Sequence, residues 1–150
     1  MSIKRITLGK KFDGKFGFRE TCFGIYEKEN KILLVKKDNQ YSLVGGGIDN
    51  DETKEQCLRR EFLEETGYSI TNINPLIIID CFWLAGNKYP LESLANIFVV
   101  DIDTNNKIDA LEKDIHEVEF VDTDKALELL PLPYHKEALK CYLQQKNSNC

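Results

Sequence analysis

The chain lacks any apolar run of 18 residues, which excludes an ordinary membrane-spanning helix. It also lacks a basic block: 25 acidic residues outnumber 20 basic ones, and the formal net charge is −5. Tracking along nucleic acid or docking on an anionic membrane needs concentrated positive charge, so this balance disfavours both. Met1-Ser2-Ile3-Lys4 carries no apolar signal-peptide core. Cysteine occurs five times, an odd number, and never in a CxxC spacing. Cys22, Cys57, Cys81, Cys141 and Cys150 therefore read as free thiols of a cytoplasmic protein, not as a disulfide framework or a zinc site. Histidine is scarce as well. His116 and His135 stand apart from each other, and neither suggests a histidine-based mechanism. Repeats, low-complexity segments and linkers are absent, so the expectation is a single domain over 1–150 that buries about two thirds of its unfolded surface.

What is present alternates between strand and helix patterns. Residues 21–26 and 31–35 are β-rich and flank a charged turn at 27–30, the pattern of a hairpin. Residues 41–44 form a short strand that runs into a glycine turn. Residues 75–85 and 94–102 read as long buried strands by length and β-branching, and 118–121 as a short one. From Asp122 the pattern turns helical, over 123–130 and again over 134–144, with Pro131 and Pro133 between; the tail from Lys146 is expected to fray. The order of elements suggests a mixed β-sheet packed between helices.

The richest stretch runs from Gly46 to Tyr68, GGIDNDETKEQCLRREFLEETGY. Thr53 with Gln56 three residues later makes a capping box, so a helix starts near Lys54, and Gly67 is a natural C-cap. On that helix, at 100° per residue, Glu61, Glu64 and Glu65 share an arc of about 100°. Like charges at such spacing repel by a few tenths of a kcal/mol per pair, so folding alone would not choose them. A hard divalent cation would, because Mg²⁺ takes oxygen ligands and pairs carboxylates with substrate phosphates. Arg60 has the planar fork that orients a carboxylate through two hydrogen bonds. The competing reading is an ordinary solvated acidic face. The glycine run before the helix and the capping box weigh against it. Cys57 is expected on the inner side of the helix, as a small core residue.

The spacing is GX5EX7REUXEEXGU, with U apolar, and it resembles the signature of the Nudix hydrolases. Its seven fixed residues would recur by chance about once in a hundred million start positions, so the resemblance is specific. The position before the glycine run, often proline in the family, is Val44 here. The resemblance implies an α/β fold: an α/β/α sandwich with a mixed β-sheet, in which the motif forms a loop–helix–loop. It implies hydrolysis of the phosphoanhydride (pyrophosphate) bond of a nucleoside di- or triphosphate derivative, with Mg²⁺ or Mn²⁺ as cofactor. Mapped onto this chain, Glu61, Glu64 and Glu65 are the metal-binding glutamates, and the Gly45 carbonyl is an additional ligand. Glu52 and Arg60 orient the ligating carboxylates, so the catalytic set is Glu61, Glu64, Arg60 and Glu52.

Which carboxylate acts as the base stays open among Glu61 and Glu64 within the motif and Asp114 or Glu117 downstream, because neighbouring charges and a metal act on such pKa values in opposite directions. The substrate-binding residues stay open too. Tyr41, Phe82 and Trp83 have rings suited to stacking on a base, though Phe82 and Trp83 alternate on a strand and only one can face a pocket. Arg19, Lys36 and Lys37 are candidate phosphate contacts. The expected partner is a small nucleotide, for a monomer or homodimer. The alternative function is a non-catalytic nucleotide-binding module or sensor on the same fold, which would be expected to lose motif glutamates; this chain keeps all of them.

Overall fold

Consecutive strand residues alternate between two buried faces, and this alternation decides the architecture. In the computed structural model, which describes residues 3–11, 14–86, 88–111 and 116–148, Cys22 points to one side of the sheet and Phe23 to the other, as do Leu33 and Leu34, and Val44 and Leu43. Strands buried on both faces need near-continuous apolar runs, and ILLV at 32–35 supplies one.

The strands are β1 (Lys4–Leu8), β2 (Gly17–Ile25), β3 (Glu27–Lys28), β4 (Lys31–Lys37), β5 (Gln40–Gly47), β6 (Ile70–Ala85), β7 (Tyr89–Ile102) and β8 (Glu117–Asp122). The helices are α1 (Lys54–Thr66), α2 (Thr123–Leu129) and α3 (Pro133–Ser148). The sheet order is β1-β6-β7-β2-β5-β4-β3, with β8 also paired to β4. β1 with β6 and β2 with β7 are parallel, and the other pairs are antiparallel. Helix α1 covers one face over Cys22, Leu33, Val35, Val44 and Val100. Helices α2 and α3 cover the other, over Phe23, Ile25, Ile79 and Ile97. This is the expected mixed sheet between helices.

Several expectations are corrected in detail. The strands at 21–26 and 31–35 exist, but they do not form a hairpin together. β2 lies between β5 and β7, and only the two-residue β3 turns back on β4, through Glu29 and Asn30, both at positive φ. The charged turn is real, but the long-range partners of Cys22 and Phe23 are Gly46 and Gly45. The glycines read as a turn belong to β5, which continues to Gly47. β6 and β7 both begin five residues earlier than expected, and α3 runs on to Ser148. β1 carries no pattern that sequence reasoning could catch, being five residues long and mostly exposed. Cys22, Cys57, Cys81 and Cys141 are buried free thiols. Among the described residues no helix is long and apolar enough to cross a membrane.

One contact fixes how α1 sits. Phe62 is fully buried over Gly24, where an added Cβ would lie 2.6 Å from the ring. The missing side chain on β2 thus sets how closely the helix approaches the sheet.

Candidate active site

Helix α1 starts as its sequence demands. The Thr53 hydroxyl accepts from the Gln56 N–H at 3.1 Å, and the Gln56 side chain accepts from the Thr53 N–H at 2.9 Å. The helix ends at Gly67 in the left-handed region (φ 78), where an added Cβ would stand 2.0 Å from the Ile108 carbonyl oxygen. Between those caps the polar face of α1 is laid along the glycines of β5.

The carboxylates reach the backbone of that strand at successive residues. Gly45 (φ 152) donates its N–H to Glu65 Oε1 at 3.3 Å, and a Cβ there would collide with the Cys22 carbonyl oxygen at 2.1 Å. Gly46 is a cradle: a Cβ would lie 2.6 Å from Glu61 Oε1 and 2.8 Å from its carboxyl carbon. The Cys57 thiol donates to the Gly46 and Gly47 carbonyls at 3.7 and 3.5 Å, from the inner side of the helix as expected.

Arg60 is the hub. Its Nε donates to Glu52 Oε2 at 2.6 Å and its Nη2 to Glu52 Oε1 at 3.0 Å, a two-pronged pair. Its Nη1 donates to Glu61 Oε1 at 3.0 Å and to Glu64 Oε2 at 3.1 Å. Nη2 also reaches the Gly47 carbonyl at 3.1 Å, and Asp49 lies 3.4 Å away. The Arg60 hydrogen bonds, joined by one from the Asp49 N–H, hold the Glu52 carboxyl down at about 2. In return Glu52 first, then Glu61, raises Arg60 above its ordinary value. Glu52 and Arg60 thus each hold the other in its charged form. Exposure separates the three glutamates: Glu65 is 4% exposed, the Glu61 side chain 12% and the Glu64 side chain 27%.

The fold therefore brings together Glu52, Arg60, Glu61, Glu64, Glu65 and Gly45. Glu117 is placed elsewhere. It opens β8 opposite Lys36, which pairs with Tyr41 at the other end of β5. Gly46 is five residues further along that strand, about 17 Å at ~3.3 Å per residue. Chain order alone makes Glu117 a candidate base, but it does not say where a strand joins a sheet. Asp114 lies outside the described residues. Lys36 sits over the Tyr41 ring, also away from the cluster, whereas Arg19 lies beside Gly47. Trp83 faces the α3 side and donates to Ser93 Oγ at 2.9 Å, while Phe82 meets Phe16 edge to face. Asp49 and the carboxylate cradle at Gly46 escaped the sequence reading, and only the unexplained glycine run hinted at the cradle.

Among the described residues no three His, Cys, Asp or Glu side chains already close into a cation cage; Arg60 lies among the carboxylates instead. The donor set nevertheless fits a hard divalent cation. It offers carboxylate oxygens pressed against a side-chain-free strand, and Mg²⁺ needs only one or two protein carboxylates because it keeps several waters.

The sequence profile of the NUDIX domain matches residues 19–144, which run from within β2 to within α3. The chain belongs to the Nudix family. A relative from Methanocaldococcus jannaschii, named ADP-ribose pyrophosphatase, is 32% identical over 131 residues, covering 83% of this chain and 72% of that protein. The NAD-capped RNA hydrolase NudC of Vibrio cholerae is 42% identical over 50 residues, 31% of this chain; the match spans about a fifth of that relative's length (19%). Among solved structures, a MutT NUDIX hydrolase from Burkholderia pseudomallei superposes with a TM-score of 0.63 at 23% identity, over 82% of this chain and 96% of that one. The E. coli ORF135 protein gives 0.64 at 19% identity, over 89% and 94%. These two likenesses speak for the fold. Family membership makes the chain a Nudix pyrophosphohydrolase in general terms, and such enzymes typically use divalent cations and act on nucleotide-derived substrates.

Proposed function

We propose that the chain is a Mg²⁺- or Mn²⁺-dependent enzyme that hydrolyses the diphosphate bond of a small nucleoside diphosphate derivative, with ADP-ribose the first substrate to test, and that residues 1–150 act as one catalytic domain. The observation that carries the reading is the joining of Glu61 and Glu64 by one Arg60 nitrogen, with the Glu61 carboxylate pressed into the Gly46 cradle. The ADP-ribose choice rests on the name of the Methanocaldococcus jannaschii relative.

Cleaving a phosphoanhydride requires neutralised phosphate charge, an in-line water and a group to take its proton. A bound divalent cation supplies the neutralisation and helps to activate the water. Glu61, Glu64, Glu65 and the Gly45 carbonyl would hold that cation. Glu52 fixes Arg60 from outside, and Arg60 fixes the rotamers of Glu61 and Glu64, as outer partners of metal ligands commonly do. Glu64, the most open of the three glutamates, is the group we assign to take the proton of the attacking water.

The test is a phosphate-release screen over ADP-ribose, nucleotide sugars, dinucleoside polyphosphates and nucleoside triphosphates. We expect turnover with Mg²⁺, its loss in EDTA, and recovery with Mg²⁺ or Mn²⁺. Undiminished turnover in EDTA sinks the cation mechanism, and no turnover of any compound sinks the enzymatic reading.

A further inference from the structure

We propose that Arg19 is a substrate-positioning residue, whose guanidinium holds the substrate phosphate that lies on the side of β5 away from the glutamates. The proposal rests on the pyrophosphohydrolase reading and deepens it.

The argument begins with pairing. The chain has four arginines. Arg5 faces Asp80 at 3.7 Å, Arg59 faces Glu55 at 2.9 Å, and Arg60 is surrounded by carboxylates. Among the described residues no carboxylate pairs with Arg19, although the chain carries net negative charge. Its side chain is exposed yet not loosely placed. Nε lies 3.1 Å and Nη2 3.2 Å from where a Cβ on Gly47 would stand, so the guanidinium rests on the bare backbone at the end of β5.

Register gives the direction. Thr21 pairs with Gly47, and Arg19, two residues earlier on β2, projects from the same face. That face carries Phe23 and α3, whereas Glu61 meets Gly46 from the α1 face. Arg60 donates to the Gly47 carbonyl while Arg19 rests on the same residue. One glycine thus separates a cation bound to carboxylates from a cation without one. A diphosphate spans two charged groups. With one phosphate at the glutamates, the other would meet the unpaired fork across Gly47, and a guanidinium matches phosphate oxygens two at a time. Along the parallel pair of β2 and β7, Arg19 is in register with Ser93, which accepts from Trp83, the chain's single tryptophan. A ligand at Arg19 therefore has a built-in reporter.

The experiment compares wild type, Arg19→Ala, Arg19→Lys and, as a charge control, Arg5→Ala on a remote strand. ADP is titrated in EDTA at low salt and followed by Trp83 fluorescence, and KM and kcat are measured for ADP-ribose with Mg²⁺. Arg19→Ala should weaken ADP binding and raise KM by about 10–100-fold, the scale of a hydrogen-bonded charge contact, with kcat within about threefold because the contact is alike in ground and transition states. Arg19→Lys should recover only part of the affinity, and Arg5→Ala should match wild type. Unchanged KM and ADP affinity in Arg19→Ala, full recovery by Lys, an equal effect in Arg5→Ala, or a wild type that does not bind ADP would each overturn the proposal. A wild type that binds ADP through Arg19 but hydrolyses nothing would overturn the enzymatic reading instead.

Discussion

Helices α1 and α3 lie on opposite faces of one sheet, and each brings polar chemistry to strand β5. They do so in contrary ways. Beside α1, Arg60 and Glu52 answer one another and keep their charges: Glu52 is held at about 2 and Arg60 above its usual range. On α3, His135 is buried with its Nδ1 accepting from the Leu43 N–H at 3.3 Å, its ring against Phe23 and Tyr134, and its Nε2 without a hydrogen-bond partner among the described residues. Burial alone pushes it down to about 3, so it is neutral at working pH. Glu52 and Arg60, each facing an opposite charge, keep their ionisation beside the end of β5, while a buried group with no counter-charge gives its charge up. Only the first arrangement is available to a charged ligand.

The comparison breaks most sharply at Glu64. Glu64→Gln keeps size and polarity but removes a charge, and turnover should fall by about 10²–10⁴ while the fold persists. Near-wild-type initial rates together with an unchanged melt would make the α1 cluster a solvated face.

Next comes the hub. Arg60→Lys keeps the charge but loses the fork that grips Glu52 while reaching Glu61 and Glu64, so we expect a loss of about 10–100-fold, close to that of Arg60→Gln, with higher Mg²⁺ restoring part of it. Full Arg60→Lys activity at ordinary Mg²⁺, in a titration of initial rate against the cation, rejects the orienting role.

Gly46→Ala tests the cradle alone. Its Cβ would meet the carboxylate end of the Glu61 side chain rather than backbone, so we expect a small change in stability while activity drops by about tenfold, the lower end of the range for a disturbed ligand environment. A large fall in Tm with matching loss of activity would show instead that the glycine serves packing.

The smallest effect belongs to α3. A histidine with a folded pKa of about 3 against an ordinary 6.5 binds fewer protons folded than unfolded. Its contribution to stability is complete above pH 6.5 and is lost progressively as pH falls toward 3. Glu52, at about 2 against 4.5, loses its contribution only below pH 4.5. Urea midpoints should therefore decline between pH 6.5 and 5 in wild type and less so in His135→Gln. Equal slopes in the two proteins would remove His135 as the cause.

The sequence by itself determined the parts whose physics is local. Helix α1, its Thr53–Gln56 box and its Gly67 cap all depend on residues within a few positions of one another, and the motif spacing places Arg60, Glu61, Glu64 and Glu65 within two adjacent turns. The strand content was also legible, because burial on both faces forces apolar runs such as ILLV. Partnership was not. That Cys22 pairs with Gly46 rather than with a hairpin neighbour, that the glycine run is strand, and that Glu117 joins the sheet far from the motif all follow from pairings across long stretches of chain. Nor does spacing state that Glu61 rests on Gly46, or that Arg19 and Arg60 both reach Gly47. Strand register fixes which side chains share a face, and register is settled by the packing of the whole sheet between its helices.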